Sequence, residues 1–547
     1  MSRFVDTMVA TAAGAGERGM TTGEPNAPVH RTWREVHERA TRMAGALVAD
    51  VSAGDSVAVL AGDPASIAPA VQAVWLCGGS TTMLHQPTAR TDLAEWAEDT
   101  LKVLTMIGAR LVLLGSPFDA LAAVLDEHRV RYAKLDELDG EPLPAPVAVD
   151  ESATALLQLT SGSTADPKAV RITHGNLWSN AKAMEVAAAL DPATDRMVSW
   201  LPLFHDMGMV GFLTVPMLFG IDLVKVTPVD FLGRPTLWPE LISRYGGTIT
   251  AAPNFAYAIA ARRMANVADG EWDLSRLRLA LNGAEPIDPV AVKAFTDAGA
   301  RFGMPAECVL CAYGMAETTL GVAFAPLFTG ISVDFVDPDE LEAGRRAVPV
   351  APTNPAARAF PLLGPPLPGL EVQVVDESGA VRGEREVGQL RVRGEAVTPE
   401  YLTVDGPVAT QDAAGWLDTG DEGYVVDGQV VVCGRRKDVI IMGGRNIYPT
   451  DIERAATAVE GVRAGNAVAV RLDAGTRRER FAVVVESKLA GEANAVRELS
   501  KQISARVVDA VGLRPYSVVV LKPGSLPKTP SGKLRRSAAT SLVPSAD

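Results

Sequence analysis

The sequence predicts an α/β fold in which a large layered α/β region is followed by a small β-rich subdomain and a small α+β C-terminal domain. Three observations carry this expectation. The chain has 547 residues, enough for several cores, since single domains usually hold on the order of 100–200 residues. In the N-terminal part, short apolar runs alternate with stretches of helical character, the order that a parallel sheet covered by helices requires. From Pro361 onward Pro/Gly turns separate short strands, and beyond Lys437 a few strands accompany one amphipathic helix.

Taken in order, the first residues carry no strong pattern and are expected to be loose. Residues 33–50 read as a helix, Ser56–Leu60 as a strand and residues 64–77 as a second helix. Apolar runs at 111–114, 155–159, 198–201, 223–226 and 277–281 supply further strands. Residues 343–359, rich in Pro, Ala and Arg, are expected to form an exposed loop or insertion. In the β-rich region, strands are expected at 370–375, 388–393 and 429–433. The last module has strands at 468–470 and 481–485, and a final one at Ser517–Leu521. Between them, Val496, Leu499, Ile503, Val507 and Val511 recur at a 3–4 spacing that gives a helix one buried face. The expected domains are residues 1–434, including the β-rich subdomain at 361–434, and residues 437–547.

Hydrophobic residues make up 47% of the chain and charged residues 22%, values that exclude a fibrous repeat or a disordered chain. The net charge of −14 argues against nucleic acid as the main partner, which calls for clustered Lys and Arg. An anionic ligand must therefore rely on local cations. No apolar run reaches about 18 residues; the nearest, residues 201–220, is broken by His205 and Asp206, so no membrane span is expected. The first residues are too weakly apolar for a signal-peptide core, and a cytoplasmic location is expected. Four cysteines suggest no disulfide framework. Cys308 and Cys311 form a CxxC, but their segment reads as a strand, where residues three apart point to opposite faces. Buried apolar packing is expected for them.

The densest motif is Thr160-Ser161-Gly162-Ser163-Thr164, followed by Lys168, directly after the strand at 155–159. Small hydroxylated residues and a glycine let N–H groups and hydroxyls close around phosphate oxygens, and the lysine adds a positive charge. The spacing is not that of the Walker A loop. A polar turn between two core elements is the competing reading. Further loaded segments follow in the chain: Tyr313-Gly314-Met315-Ala316-Glu317-Thr318, Asp418-Thr419-Gly420-Asp421, Gly434-Arg435-Arg436-Lys437-Asp438 and Pro527-Lys528-Thr529-Pro530-Ser531-Gly532-Lys533.

In this order the segments resemble the adenylate-forming superfamily of acyl-CoA synthetases, acyl-AMP ligases, peptide-synthetase adenylation domains and luciferases, over roughly residues 30–536. The resemblance implies that ATP activates a carboxylic acid to acyl-AMP, that pyrophosphate leaves, that Mg²⁺ takes part, and that a thiol then captures the acyl group. Two anions must approach each other in such a reaction, so cations and oriented dipoles lower its barrier. The resemblance makes Lys533 the adenylation lysine and Glu317 a Mg²⁺ ligand, an oxygen donor suited to a hard cation. It places Tyr313 on the adenine, with Gly283, Ala284 and Glu285 as the edge that reads the base and Gly314, Met315 and Thr318 beside it. Asp421 and Arg435 would reach the ribose. Lys437 falls at the hinge about which the family's C-terminal domain swings, which makes the domain at 437–547 a mobile one.

Within the superfamily the chain is most similar to fatty acyl-AMP ligases, through Leu201-Pro202-Leu203-Phe204-His205-Asp206-Met207-Gly208, Ala252-Pro253-Asn254-Phe255-Ala256-Tyr257 and the segment from Arg445 to Glu453. Those ligases carry an extra segment where residues 329–362 fall. An acyl pocket drawing on His205, Phe212, Asn254, Phe255, Tyr257 and Met315 would suit a fatty or other apolar acid, with His205 at its gate. The acceptor is then the phosphopantetheine thiol of an acyl carrier protein, or CoA if the chain is an acyl-CoA synthetase. A luciferase-like oxygenase and a non-catalytic adenylate-binding protein share the same motifs. Ala165 and Ala169 stand where the family has glycines, and a loop needing unusual dihedrals there would lose phosphate affinity.

Overall fold

A computed structural model describes residues 2–88, 91–160, 166–442, 445–476, 479–528 and 534–544. The chain forms two compact units: Met1–Ile331 with Gly364–Glu371 and Val392–Leu417, and Ser332–Leu363 with Val372–Arg391 and Asp418–Asp547.

The first unit is built on two eight-stranded sheets. One has the order Gly321–Phe324, Val309–Gly314, Leu279–Asn282, Ile249–Ala252, Arg196–Ser199, Asp222–Lys225, Gly19–Thr22, Val29–Thr32. The other runs Gly406–Ala409, Glu400–Thr403, Lys168–Thr173, Thr154–Thr160, Ser80–Met83, Ser56–Leu60, Ala109–Leu114, Tyr132–Lys134. In the first sheet the inner strands pair in parallel; in the second, Ser80–Met83, Ser56–Leu60 and Ala109–Leu114 do so, while Lys168–Thr173 runs antiparallel to both of its neighbours. Parallel inner strands such as Ser56–Leu60 and Ile249–Ala252 are buried along their length, which is why they read as unbroken apolar runs. Helices start where the sequence supplies caps. Thr32 and Glu35 form a reciprocal capping box before Trp33–Leu47, and Asp63 caps Pro64–Leu76, whose first residue is a proline, a position where the missing N–H costs nothing.

The first residues are not loose. Arg3–Gly14 is a helix capped by Ser2, and its buried Phe4, Val5, Met8 and Ala12 recur at helical spacing. Phe4 meets Trp75 edge-on at 4.9 Å, and Ser2 Oγ lies 3.0 Å from His174 Nδ1. The CxxC also differs in detail: Cys308 ends a short 3₁₀ turn and only Cys311 lies in the strand. Both are buried, like Cys77 and Cys433, and burial pushes their thiols up to about 12. Ala169 sits buried inside the strand Lys168–Thr173, opposite Leu402. Its extended backbone needs no glycine, so the expected loss at that position does not arise; Ala165 lies outside the described residues.

In the second unit, strands Val462–Leu472, Arg480–Ser487 and Ser517–Leu521 form one sheet. Helices Pro449–Thr457 and Ala493–Val511 pack on it through Ile452, Leu499, Ile503, Val507 and Val511. Strands Leu370–Val375, Gly388–Gly394, Leu417–Val426 and Gln429–Arg435 make a four-stranded sheet in that order, most of it in this unit. Residues 343–359 are not simply an exposed loop. Ala347 is fully buried and Arg358 is 8% exposed. Arg358 pairs with the buried Glu342 and, at 3.1 Å, with Asp451, and Arg445 holds the other Glu342 oxygen at 2.6 Å. A carboxylate this deeply buried persists only because two guanidinium groups repay its desolvation.

Among the described residues no helix is long and apolar enough to cross a membrane. One buried cation in the first unit has no such repayment. Lys225 is 1% exposed and donates only to main-chain oxygens, those of Leu201 and Val226. Burial lowers its pKa to about 7. Between about pH 7 and its ordinary value near 10.4 the unfolded chain holds the proton and the folded one does not, so this group makes stability rise with pH in that window. Lys225→Met is therefore expected to stabilise the protein most at pH 7 or below and progressively less toward pH 10. Urea unfolding of both proteins at pH 7 and pH 9 checks this; an equal difference at both values contradicts it.

Candidate functional site

Antiparallel pairing of Thr154–Thr160 with Lys168–Thr173 sets Thr160 opposite Lys168 at the open end of a hairpin. The connection between them, residues 161–165, holds Ser161, Gly162, Ser163 and Thr164 of the expected phosphate loop and lies outside the described residues. On the far side, Glu400–Thr403 pairs with the same strand, bringing Thr403 opposite Lys168 and Tyr401 opposite Val170. Lys168 Nζ consequently lies 3.9 Å from the centre of the Tyr401 ring and 4.0 Å from Glu317 Oε1. The same Glu317 oxygen accepts a 2.7 Å hydrogen bond from the Tyr401 hydroxyl. Ammonium, aromatic face and carboxylate thus form a closed triangle, favourable both as a charge pair and as a cation–π contact.

Glu317 sits on a one-turn 3₁₀ segment, Ala316–Thr318, between the strands Val309–Gly314 and Gly321–Phe324. Its main-chain oxygen accepts from the amide and hydroxyl of Thr398, at 2.9 and 3.1 Å. Thr318 closes the turn through a 2.9 Å bond to the Met315 oxygen. Gly314 is required there, since a Cβ would lie 2.2 Å from the Leu320 oxygen. The carboxylate is therefore fixed from both its backbone and its tip, with its side chain 14% exposed.

Beside this turn, Tyr313 is the last residue but one of its strand and is half-buried. Gly283, Ala284 and Glu285 follow Leu279–Asn282, which pairs in parallel with Tyr313's strand. Ala284 adopts a left-handed φ of 68°, and a Cβ at Gly283 would approach the Ala312 oxygen to 3.0 Å. Glu285 Oε1 accepts from the Phe255 amide at 2.6 Å, a bond at the first turn of Asn254–Met264, where the free N–H groups and the dipole both favour a carboxylate. Asn254 Oδ1 receives bonds from Asn282 and the Asp288 amide, at 3.2 and 3.1 Å. Residues 283–285 and the start of the Asn254–Met264 helix are thus mechanically one piece.

His205 Nδ1 lies 2.6 Å from Asp206 Oδ1 and 3.3 Å from the Met207 amide, at the entrance to the wide helix Met207–Thr214. Within that helix Phe212 departs from helical geometry, with φ −125° and ψ 19°, a distortion common where helices serve a site. Phe212 and Met315 are buried, while Asn254 and Phe255 are partly exposed. Tyr257 lies apart from any opening: it is fully buried, stacked edge-on to Trp238 and Phe295 at 5.3 and 4.9 Å, with its hydroxyl on the Leu281 oxygen at 2.8 Å.

In the second unit Asp421, 4% exposed, pairs with Arg435 Nε at 3.0 Å, and Arg435 also donates to the Thr419 oxygen at 3.0 Å. Antiparallel register sets the two residues opposite each other. Lys437 occupies the 3₁₀ turn Arg436–Asp438, its main-chain oxygen 3.4 Å from Arg471 Nη1. Lys533 lies outside the described residues. Its flanks are anchored: Lys528 and Leu534 form a β-bridge, Arg535 N bonds the Pro527 oxygen at 2.9 Å, and Arg536 bridges Asp438 and Glu453 at 2.8 and 2.7 Å.

Tyr401, Asn282 and Thr398 escape the sequence reading. Tyr401 belongs to the site only through a strand pairing more than two hundred residues long in sequence separation, and its one legible signal was its place in the Glu400–Thr403 run.

The chain belongs to the AMP-binding enzyme family: the model of the AMP-binding enzyme matches residues 10–402, and that of the AMP-binding enzyme C-terminal domain matches residues 444–538. It is 55% identical over 546 residues to the ligase candidate Rv1013 of Mycobacterium tuberculosis, covering 99% of this chain and 100% of that one. It is 33% identical over 410 residues to the long-chain-fatty-acid AMP ligase FadD28 of the same species, covering 70% of this chain and 69% of the relative. A solved structure from work on the fatty acyl-adenylate ligases of E. coli and L. pneumophila superposes with a TM-score of 0.89 at 29% identity, over 99% of this chain and 98% of that one.

Tyr401→Phe keeps the ring beneath Lys168 and deletes the hydrogen bond to Glu317. Losing one bond to a charged group costs about 1.5–3 kcal/mol, so ATP-dependent pyrophosphate release is expected to fall by roughly ten- to hundredfold, and an unchanged rate shows that Glu317 does not need the hydroxyl.

Proposed function

We propose that this protein is a fatty acyl-AMP ligase: it activates a fatty or other apolar carboxylic acid with ATP and passes the acyl group to the phosphopantetheine thiol of a carrier protein. The observation that carries the reading is the Lys168–Tyr401–Glu317 triangle at the end of the hydroxyl-rich hairpin, in a chain similar to proteins named long-chain-fatty-acid AMP ligases. In the first step a carboxylate oxygen of the acid attacks the α-phosphorus. The bond to the bridging oxygen of the β-phosphate breaks, and pyrophosphate leaves with that electron pair. In the second step the thiol sulfur attacks the acyl carbonyl, the thiol proton is lost, and AMP departs.

Each residue has a task in this reading. Thr160, Ser161, Gly162, Ser163, Thr164 and Lys168 hold phosphate oxygens, and Lys533 stabilises the charge that builds between carboxylate and α-phosphate. Tyr313 stacks on the base, whose edge meets Gly283, Ala284 and Glu285, while Gly314, Met315 and Thr318 shape the turn beneath it. Asp421 and Arg435 take the ribose hydroxyls. Glu317 fits a magnesium ion shared with phosphates, since such an ion needs only one or two carboxylates beside phosphate oxygens and water, and one Glu317 oxygen already turns toward the Lys168 side of the hairpin. When bound, that ion neutralises phosphate charge. His205, Phe212, Asn254, Phe255 and Tyr257 bound the acyl side, Tyr257 as the packed support behind the helix. Lys437 is the pivot of a C-terminal domain at 437–547 that brings Lys533 in for the first step. Four buried free thiols suit a reducing compartment, and the reading places the enzyme in the cytoplasm.

The test is incubation with ATP, Mg²⁺ and a graded set of fatty acids, with and without CoA, read by mass spectrometry. Acyl-AMP that persists in the presence of CoA is expected. Conversion to acyl-CoA makes the chain an acyl-CoA synthetase, and no adenylate with any acid overturns the reading. Lys533→Ala is expected to slow adenylate formation by about 10²–10³-fold, with no loss expected if the lysine is a surface residue. Substitution of Lys437 is expected to slow the two half-reactions unequally, measured by pyrophosphate release and by thioester formation from preformed acyl-AMP; equal slowing excludes a hinge.

A further inference from the structure

A buried hydroxyl without a partner and a partly exposed histidine are brought level by register at the end of the Thr154–Thr160 strand. Ser80–Met83 runs parallel to Thr154–Thr160 with Thr81 opposite Leu156. The chain stays sheet-like one residue further, where Leu84 N bonds the Val59 oxygen. Carried forward, this register sets His85 level with Thr160, the last residue before the hydroxyl-rich loop. The His85 backbone is pinned by Trp96 Nε1, which donates to its oxygen at 2.9 Å, and by Gln86, whose amide donates to the Ala61 oxygen at 2.7 Å. Its ring stands edge-on to Phe204 at 5.5 Å. The Phe204 oxygen in turn accepts from Gln158 of the Thr154–Thr160 strand at 2.9 Å. Three segments thus meet at one corner: the residues after Met83, the end of the hairpin strand, and the turn that carries His205.

At that corner the polar accounts do not close. Among the described residues neither ring nitrogen of His85 has a hydrogen-bond partner. Burial, followed by the nearby His205, pushes its pKa down to about 4, so at neutral pH the ring is a neutral donor and acceptor. The Thr160 hydroxyl, which is buried, also has no partner. Buried polar groups are paired in all but a few cases, and an orphan costs about 1–3 kcal/mol. A buried unpaired hydroxyl and a partly exposed imidazole on one register line, both able to donate, fit an acceptor that arrives with the ligand.

We propose that His85 and Thr160 form a paired donor site for one phosphate oxygen of the group that leaves as pyrophosphate. This makes His85 a further substrate-binding residue, one that lies outside every motif of the sequence. The proposal rests on the acyl-AMP ligase reading.

The test combines calorimetric binding of inorganic pyrophosphate with steady-state kinetics in ATP. His85→Ala is expected to weaken pyrophosphate binding and raise KM for ATP by about tenfold, the effect of one hydrogen bond to a charged acceptor, with kcat changed less than about twofold. His85→Gln, which retains an N–H donor, recovers most of the loss. Thr160→Val is expected to match His85→Ala, and Thr160→Ser to restore binding. Unchanged pyrophosphate binding in both His85→Ala and Thr160→Val overturns the proposal. So does a loss in His85→Gln as large as that in His85→Ala, because the ring would then serve only to pack on Phe204. Wild-type protein that binds pyrophosphate through these residues but forms no acyl-AMP overturns the ligase reading alone; acyl-AMP formation with indifferent variants overturns the contact alone.

Discussion

The first unit depends on the fixing of one carboxylate. An exposed carboxylate moves and a buried one loses its hydration, and the Glu317 side chain, 14% exposed, stands between the two. The fold resolves this by giving Glu317 Oε1 two donors of different kinds, the Tyr401 hydroxyl and the Lys168 ammonium, and by tying its main-chain oxygen to Thr398. Lys168 is held in turn by the Tyr401 ring. Three segments, at 168, 317 and 398–401, are locked by a few short contacts, and the strand pairing of Glu400–Thr403 with Lys168–Thr173 supplies their alignment.

The second unit manages charge differently. Its carboxylates are more deeply buried and each is matched by arginine: Glu342 by Arg358 and Arg445, Glu422 by Arg345 at 3.0 Å, Asp421 by Arg435. Arginine suits this work because its planar fork donates in two directions without losing its charge. Glu453 shows the limit of such matching: burial raises its pKa even though Arg536 pairs with it. A chain with a net charge of −14 thus sets several of its buried acidic groups against nearby arginines.

His85 and Lys225 are two exceptions within the first unit. Lys225 is buried and His85 partly exposed; desolvation favours the neutral form of each, and neither meets a carboxylate among the described residues. Lys225 at least satisfies two N–H groups on main-chain oxygens and so reads as a strut beneath the Leu201–His205 turn. The partly exposed His85 ring has no such partner among the described residues, and the proposed phosphate contact would supply one.

The apolar run at Ser56–Leu60 was legible in the sequence because a parallel strand buried on both faces leaves an unmistakable composition; Leu370–Val375 and Ser517–Leu521, though partly exposed, also fall where the apolar pattern puts them. The helix Arg3–Gly14 was missed, since its small, weakly apolar face is recognisable only once Trp75 and His174 are there to receive it. Residues 343–359 looked like a solvated loop because arginine and proline usually are exposed, and only the folded unit reveals Glu342 as the reason Arg358 is inside. The sequence by itself determined the kinds of chemistry available, a hydroxyl-rich loop, a lysine, a lone glutamate, because these are properties of residue type and local spacing. Which of them meet was decided by tertiary structure alone: Tyr401 reaches Glu317, and His85 comes level with Thr160, through register between strands far apart in the chain, and register is set by burial and pairing that no local window contains.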